Sequence, residues 1–392
     1  MDINSSKHKS LKNIAIFHHQ YSYGGVDTHL LALINNWPNK NDNFFIISNN
    51  DNSGIKNIIN NQTYKNIEFF FIDELDQNQN DFFFNFKKVY FKLDKYLKHK
   101  SINTFIINNG GFPGSLYALL LSILNFNQKL NIKKFLLIHH APIFKGKIII
   151  KFLSLLISLL IRIKRIEVIT VSNASKKLLI SNTFIKNISV INNGLELKKF
   201  QNFDLLSLDI FKNINFKKKI ILGMIGPLDD HKGHYFVLDL LKDIDKEKFI
   251  FIIVGKGKNY SQLKETIKNY DLKKNIILTG YLEEHQYSII ENFDILLFPT
   301  RDFEGFGYSM AEAMYLKKTV IASNVGAIPE FVINLKNGIL LDPFDKIGWQ
   351  KSIANCIEDS GLRYNLGTEA FKTIKNQFDA KRMAYEYFKK IS

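Results

Sequence analysis

Short β-rich runs alternate with longer helical patterns along most of this chain, and that alternation restricts the fold more than any other feature. The first series runs NIAIFHH, GVDTHLLALINNW, NFFIIS, INTFIINN, SLYALLLSILN, KFLLIHH, EVITVS, NASKKLLI and NISVINN, ending at residue 193. A strand followed by a helix, repeated, builds a parallel sheet with helices on its faces, because parallel neighbours need a crossover. A second series begins after residue 215 with KKIILGMIG, HYFVLDLLKDI, KFIFIIVG, SQLKETIKNY, NIILTG, EEHQYSIIEN, DILLFPT, GYSMAEAMYL and TVIAS, and closes on AIPEFVINLKNGILL. Two doubly wound α/β halves are expected, and 392 residues suffice for two sizeable cores.

Between the halves, ELKKFQNFDLLSLDIFKNINFKKK (196–219) has mixed polarity, no clear strand and a closing lysine run. The expected division is a Rossmann-like domain over 1–200, a linker over 201–217, a second Rossmann-like domain over 218–377, and a C-terminal helix over 378–392 that packs back on the first. Open parallel sheets bind ligands beyond the carboxyl ends of their strands, so two of them facing each other predict a central cleft. The Asn-rich patches at 49–62 and 76–85 read as loops.

A formal charge of +16 admits nucleic acid, an anionic membrane surface or phosphorylated small molecules as partners. Lysine is spread over the whole chain and no basic-aromatic recognition module is visible, so nucleic acid is not expected. The single cysteine, Cys356, has no second thiol to pair with, which points to a reducing compartment and a cytoplasmic protein. Near the N-terminus the apolar run IAIF is too short for the core of a signal peptide, so no export is expected.

The segment KIIIKFLSLLISLLIRIKR (147–165) has only ten uncharged residues between Lys151 and Arg162, short of the roughly twenty that span a bilayer. Its polar residues, Lys151, Ser154, Ser158, Arg162 and Arg165, draw one narrow stripe on a helix otherwise apolar all round. Such a helix packs in a core, the preferred reading, or lies in a membrane interface, which basic residues at both ends also fit.

Strand-end loops are the places to seek chemistry. The loop HHQYSYGGVDTHLL carries Gly24 and Gly25 at a strand-to-helix turn, where helix amides favour anions, but it lacks the G-x-G-x-x-G of dinucleotide sites. The loop GPLDDHKGHYF places Lys232 just before Gly233 and a helix, where a lysine can neutralise a diphosphate. In RDFEGFGYSMAEAM (301–314) a glycine turn joins strand end to helix start, with Glu304 in the loop and Glu312 inside the helix. Phosphate repels carboxylates, so this pair is suited to neutral hydroxyls on either side of a diphosphate. A ligand with hydroxyls at both ends and a diphosphate between them is a nucleotide sugar.

With these residues in view, the second half resembles the donor-binding domain of family 4 retaining glycosyltransferases of the GT-B fold, whose E-x7-E motif matches Glu304 and Glu312. The motifs KG (232–233), IIVGKG (252–257), NIILTGYLEEH (275–285), FDILLFPT, VIASNVGAIPE (320–330) and NGILLDPFD (337–345) follow in order. The first half resembles the family more loosely through GGVDTHLL, VITVSNASKKLL and VINNG. The resemblance implies a cytoplasmic enzyme that moves a sugar from a nucleotide-diphosphate sugar to a hydroxyl acceptor with retention of configuration; no cofactor and no metal are expected, and the basic helix at 147–165 suggests a glycan or lipid-linked acceptor with the enzyme peripheral to the inner face of a membrane. It further implies that Glu312 binds the ribose, Glu304 a sugar hydroxyl and Lys232 the diphosphate, and that the amides of Phe306, Gly307 and Tyr308 meet sugar and phosphate. Tyr281 and Leu282 would meet the base, Gly24 and Gly25 would let the acceptor domain close, and His140, or neighbouring His139, would touch the reacting sugar.

One departure stands out. Where relatives carry an arginine five residues before the lysine, this chain has Pro227, so Arg301 is the candidate for the missing cation. The only D-x-D, Asp243 to Asp245, precedes a strand instead of ending one, which does not suit a metal-held donor. The rival expectations are another GT-B enzyme, such as a nucleotide-sugar epimerase, and a catalytically inactive protein that binds nucleotide sugars.

Overall fold

The computed structural model describes residues 11–20, 24–76, 82–109, 132, 134–139, 148–164, 166–197, 211–212, 216–282 and 288–392. His140, the helix expected at 115–125 and most of the expected linker lie outside them. The chain divides into two compact units, one formed by Met1–Asn193 with Lys381–Ser392 and the other by Gly194–Ala380.

Unit 1 holds seven strands, β1 (Asn13–Phe17), β2 (Asn43–Ser48), β3 (Ile67–Phe71), β4 (Thr104–Asn109), β5 (Lys134–His139), β6 (Glu167–Thr170) and β7 (Ile188–Val190). They form one parallel sheet in the order β3-β2-β1-β4-β5-β6-β7. Its described helices are α1 (Gly25–Asn35), α2 (Ser53–Asn61), α3 (Phe82–His99), α4 (Ile148–Ile163) and α5 (Asn173–Asn182). The strands are apolar at consecutive positions because both faces are covered. Ala15, Phe17, Phe105, Ile107 and Val168 meet Val89, Leu93, Ile157, Ile161 and Leu179 of α3, α4 and α5.

Two expectations fail here for identifiable reasons. The patch at 49–62 is largely helical, because Asn52 caps α2 by accepting from the amides of Gly54 and Ile55, and Ile55 and Ile58 are buried on one face. In α4 the core packing preferred from the sequence holds for only part of the described helix. Ser158 is fully buried, donating to the Leu155 carbonyl and accepting from the Phe184 amide, while Leu155, Leu156, Leu159 and Ile163 are 37–63% exposed.

Unit 2 holds β8 (Ile220–Ile225), β9 (Phe249–Val254), β10 (Ile276–Gly280), β11 (Ile295–Phe298), β12 (Thr319–Ser323) and β13 (Ile339–Leu341). The sheet is parallel throughout, in the order β10-β9-β8-β11-β12-β13. Helices α6 (His234–Leu241), α7 (Tyr260–Asn269), α8 (Tyr308–Tyr315), α9 (Lys346–Glu358) and α10 (Ser360–Gln377) cover it. On one face Leu222, Phe251, Ile253 and Leu297 pack with Val237, Leu263, Trp349 and Ile353. On the other, Ile252, Val254, Leu296 and Phe298 pack with Met310, Ala311, Met314 and Ile374. Cys356 is buried in the first of these cores, and burial pushes its thiol up to about 11, so it behaves as a small apolar residue.

The last helix, α11 (Ala380–Ile391), contributes Lys381 onward to unit 1. The Phe388 ring meets Trp37 edge-on at 5.6 Å, Tyr387 meets His29 at 5.5 Å, and the Arg382 guanidinium donates to the Asn192 carbonyl at 2.7 Å. Phe388 is 3% exposed and Tyr385 of the same helix is 49% exposed. Phe388→Ala is therefore expected to cost about 3–5 kcal/mol in urea denaturation of unit 1. Tyr385→Ala should stay within about 0.5 kcal/mol, and equal losses would show that the helix does not dock by this face.

Candidate functional site

In both sheets the strand order reverses direction at one point, between β1 and β4 in unit 1 and between β8 and β11 in unit 2. Such switch points open a crevice beyond the strand ends, because the two crossover connections leave in opposite directions. In unit 2 the crevice is deepened by short pairing. β8 and β11 pair only at Leu222 with Ile295 and Gly223 with Leu296, whereas β8 and β9 pair along all of β8. Beyond that pairing the two strands leave a narrow pocket lined by Met224, Ile225, Gly226, Lys232, His234, Phe298, Pro299 and Thr300.

Two loops deliver the charged groups to this place. After β8 a single 3₁₀ turn, Asp230–Lys232, leads to Gly233, whose φ of +81° starts α6 without a side-chain cap. A Cβ on Gly233 would lie 2.4 Å from the Pro299 carbonyl oxygen, so the turn rests directly on the end of β11. The contact is tied by the Arg301 amide, which donates to the His231 carbonyl at 2.7 Å. Asp230 anchors the other side of the turn through Lys258 at 2.6 Å and Asn259 at 2.8 Å, and those bonds hold its carboxyl below the usual range. After β11 the loop carries Glu304, and Gly307, at φ +82°, starts α8, again with no side-chain cap.

The outcome is that Lys232 Nζ and Glu304 Oε2 stand 3.0 Å apart, each side chain 19% exposed. The same ammonium lies 5.5 Å from the centre of the Phe298 ring. Glu304 is also fixed from behind. Its carbonyl accepts from the Ala327 amide at 2.8 Å, and a Cβ on Gly326, whose φ is +55°, would lie 2.3 Å from that oxygen. Glu312 lies within α8 and is 4% exposed. The Phe306 ring turns to the core, meeting Tyr308 at 5.0 Å and Phe331 at 5.3 Å, which leaves its backbone in the loop.

The other residues singled out from the sequence make contacts of their own. Tyr281 and Leu282 follow β10, with Lys256 Nζ 4.9 Å above the Tyr281 ring. The Arg301 guanidinium lies over Phe236 at 4.9 Å and Phe344 at 5.4 Å, so its described contacts are aromatic rings. Gly24 and Gly25 belong to unit 1, where they open α1.

Beneath Gly24 lies a buried polar network that periodicity does not reveal. His18 at the end of β1 meets Asp27 Oδ1 at 2.8 Å, Asp27 Oδ2 accepts from the Gly24 amide at 2.8 Å, and Asn108 at the end of β4 meets the other His18 nitrogen at 3.2 Å. His29 bonds Asn193 at 2.9 Å, and its burial lowers its pKa to about 4. Gly326, Ala327 and His234 were also missed by sequence reasoning. Only the VIASNVGAIPE motif signalled the first two, since a glycine before a short helix marks a turn.

The fold is that of the GT-B glycosyltransferases. HepE from Anabaena, solved with UDP and glucose, superposes with a TM-score of 0.78 at 16% identity, covering 96% of this chain and 98% of that one. Residues 207–373 match the family described as glycosyl transferases group 1. An uncharacterized glycosyltransferase of Methanocaldococcus jannaschii is 33% identical over 57% of this chain and 57% of its own length. The capsular polysaccharide biosynthesis glycosyltransferase CapM of Staphylococcus aureus is 26% identical over 55% of this chain and 58% of its own. The chain thus spans a little over half the length of these curated relatives.

Gly326→Ala carries both a positive φ and a 2.3 Å clash with backbone. It should cost more than about 1 kcal/mol in thermal or chemical unfolding and shift Glu304 in a crystal structure of the variant. Unchanged stability together with an unmoved Glu304 would show that the loop tolerates the extra carbon.

Proposed function

We propose that this chain is a glycosyltransferase that moves a sugar from a nucleotide-diphosphate sugar to a hydroxyl acceptor with retention of configuration, in cell-envelope polysaccharide or glycolipid synthesis. The observation that carries the reading is the Lys232–Glu304 pair, held at the switch point of unit 2 beside two helix N-termini that no side chain caps. Leading helix amides attract phosphate, and the two groups of the pair have divergent uses once a donor arrives. Lys232 takes the diphosphate, Glu304 a hydroxyl of the transferred sugar and Glu312 the ribose hydroxyls. The amides of Phe306, Gly307 and Tyr308 serve sugar and phosphate, Tyr281 and Leu282 the base and His140 the reacting sugar, while Gly24 and Gly25 let the acceptor domain close over the donor.

In the reaction the bond from the anomeric carbon to the diphosphate oxygen breaks and a bond to the acceptor oxygen forms. The hydroxyl proton leaves with the departing phosphate. Negative charge grows on that phosphate, so the dominant contribution is its stabilisation by Lys232 and the helix ends. A metal has no assigned part. The similarity to CapM, a capsular polysaccharide biosynthesis glycosyltransferase, and to HepE, solved with UDP and glucose, supports the donor and acceptor classes.

A second reading, an inactive protein that binds nucleotide sugars, is favoured by one observation. The loop at Pro227 is braced on β9 and its neighbour, with Gly226 bonded to Val254 and Leu228 to Lys256, and proline offers no donor there. Incubation with UDP-, GDP-, ADP- and dTDP-sugars plus a glycan acceptor separates the two. Transfer with release of the nucleoside diphosphate is expected, unchanged by EDTA, with the anomeric configuration retained in the product by NMR. Lys232→Ala should lower turnover about 10²–10³-fold. Binding without turnover supports the inactive protein, and sugar isomerisation supports an epimerase. Arg301→Ala decides whether the guanidinium leaves its rings for the diphosphate, since only then does turnover fall.

We also propose an anionic membrane surface as a partner. No helix among the described residues is long and apolar enough to cross a membrane. The exposed Leu155, Leu156, Leu159 and Ile163 of α4 stand beside Phe184, 43% exposed, with Arg162 and Lys164 at the same helix end. Such a face fits shallow interfacial insertion. Flotation with vesicles containing anionic lipid is expected, and Leu156→Ser with Leu159→Ser and Ile163→Ser should abolish it. Equal flotation of the triple variant would remove the surface from the reading.

A further inference from the structure

One buried side chain at the crevice of unit 2 has no part in the roles above. His234 is the first residue of α6, directly after Lys232 and Gly233, and is 2% exposed. It lines the crevice with Lys232, Phe298 and Thr300. Both ring nitrogens are buried, and the ring's contact with the Asp229 backbone falls short of ordinary hydrogen-bond geometry. Burial lowers the imidazole from 6.5 to about 4, the nearby Asp229 backbone opposes this, and the charges of Lys232 and His231 add to it. The ring is therefore neutral at physiological pH and carries one N–H.

Buried polar groups are ordinarily paired, and an apolar side chain would fill the space as well, as Phe236 and Val237 do in the same helix. Three features make an anionic oxygen the fitting partner: the positive end of α6, the adjacent lysine and a ring that can donate without adding charge. A carboxylate of the protein is not that partner, because the nearby Glu304 is engaged by Lys232.

We propose that His234 is a donor-binding residue that gives its ring N–H to a diphosphate oxygen of the nucleotide sugar, next to Lys232. The proposal rests on the nucleotide-sugar reading above, and it adds to the diphosphate site a second group from the same turn.

The test is calorimetric titration with UDP, or with GDP, ADP or dTDP where one of these binds more tightly. Wild type, Lys232→Ala, His234→Phe and His234→Gln are compared. His234→Phe keeps the bulk and removes the donor, and it should weaken binding about tenfold or more. His234→Gln restores an N–H and should recover most of the loss. In the wild type, the His234 ring nitrogen resonances should move on nucleotide addition, a readout that does not depend on any variant folding. Wild-type affinity in folded His234→Phe, or ring resonances that stay in place while Lys232→Ala abolishes binding, overturns the proposal and leaves the nucleotide-sugar reading intact. Failure of the wild type to bind any nucleoside diphosphate overturns both.

Discussion

The missing methyl group at Gly233 holds the candidate site together. Main chain meets main chain there, the turn after β8 against Pro299 at the end of β11, and an added carbon would lie 2.4 Å from a carbonyl oxygen. From that contact follow the bond between the Arg301 amide and His231 and the approach of Lys232 to Glu304. Magnitudes set the direction of cause. A partly exposed ion pair contributes about 0–1 kcal/mol and could not hold two loops against their tendency to part. A backbone clash and a forced positive φ cost more, so the loops hold the pair. Gly326 does the same for Glu304 from the opposite side.

The two sheets use the same topological position differently. In unit 1 the ends of β1 and β4 are bridged by side chains, His18 to Asp27 and Asn108 to His18, all buried. That network satisfies its own donors and acceptors and fixes the amide of Gly24 through Asp27. In unit 2 the equivalent strand ends part after two paired residues and leave a pocket with a lysine and a buried histidine. A buried, hydrogen-bonded network at a switch point positions a loop, whereas a pocket there beside a lysine is suited to a ligand.

Much of this was legible in the sequence, because fully buried parallel strands are continuous apolar runs. FIFIIV of β9 is buried at every position and could only be a central strand. The less regular β3, IEFFF, is partly buried throughout and carries no such signature. Helix α2 was hidden by asparagines that favour loops, one of which is its cap. Two strand-end loops and their glycines marked Lys232 and Glu304 separately, and their pairing is visible only in the structure. The orientation of α4 is likewise visible only there, since Ser158 turns inward for two local hydrogen bonds and sends leucines out, a choice that helical period cannot show. The polar network under Gly24 escaped for a similar reason: Asp27 meets His18 across the β1–α1 loop, but Asn108 is 90 residues from His18 and reaches it only through sheet order.

The proline at 227 shows how the fold absorbs a departure from a motif. The amides of Gly226 and Leu228 both bond toward the β9 side, to Val254 and Lys256. Pro227, between them, is exposed. Proline is tolerated there because no ladder bond is lost. Against the motif, one backbone donor and an arginine side chain are lost, both of which the proposed diphosphate could have used. A hydrogen bond to a charged acceptor is worth about 1.5–3 kcal/mol, a deficit that Lys232 meets with charge and that the N–H of His234 is placed to offset.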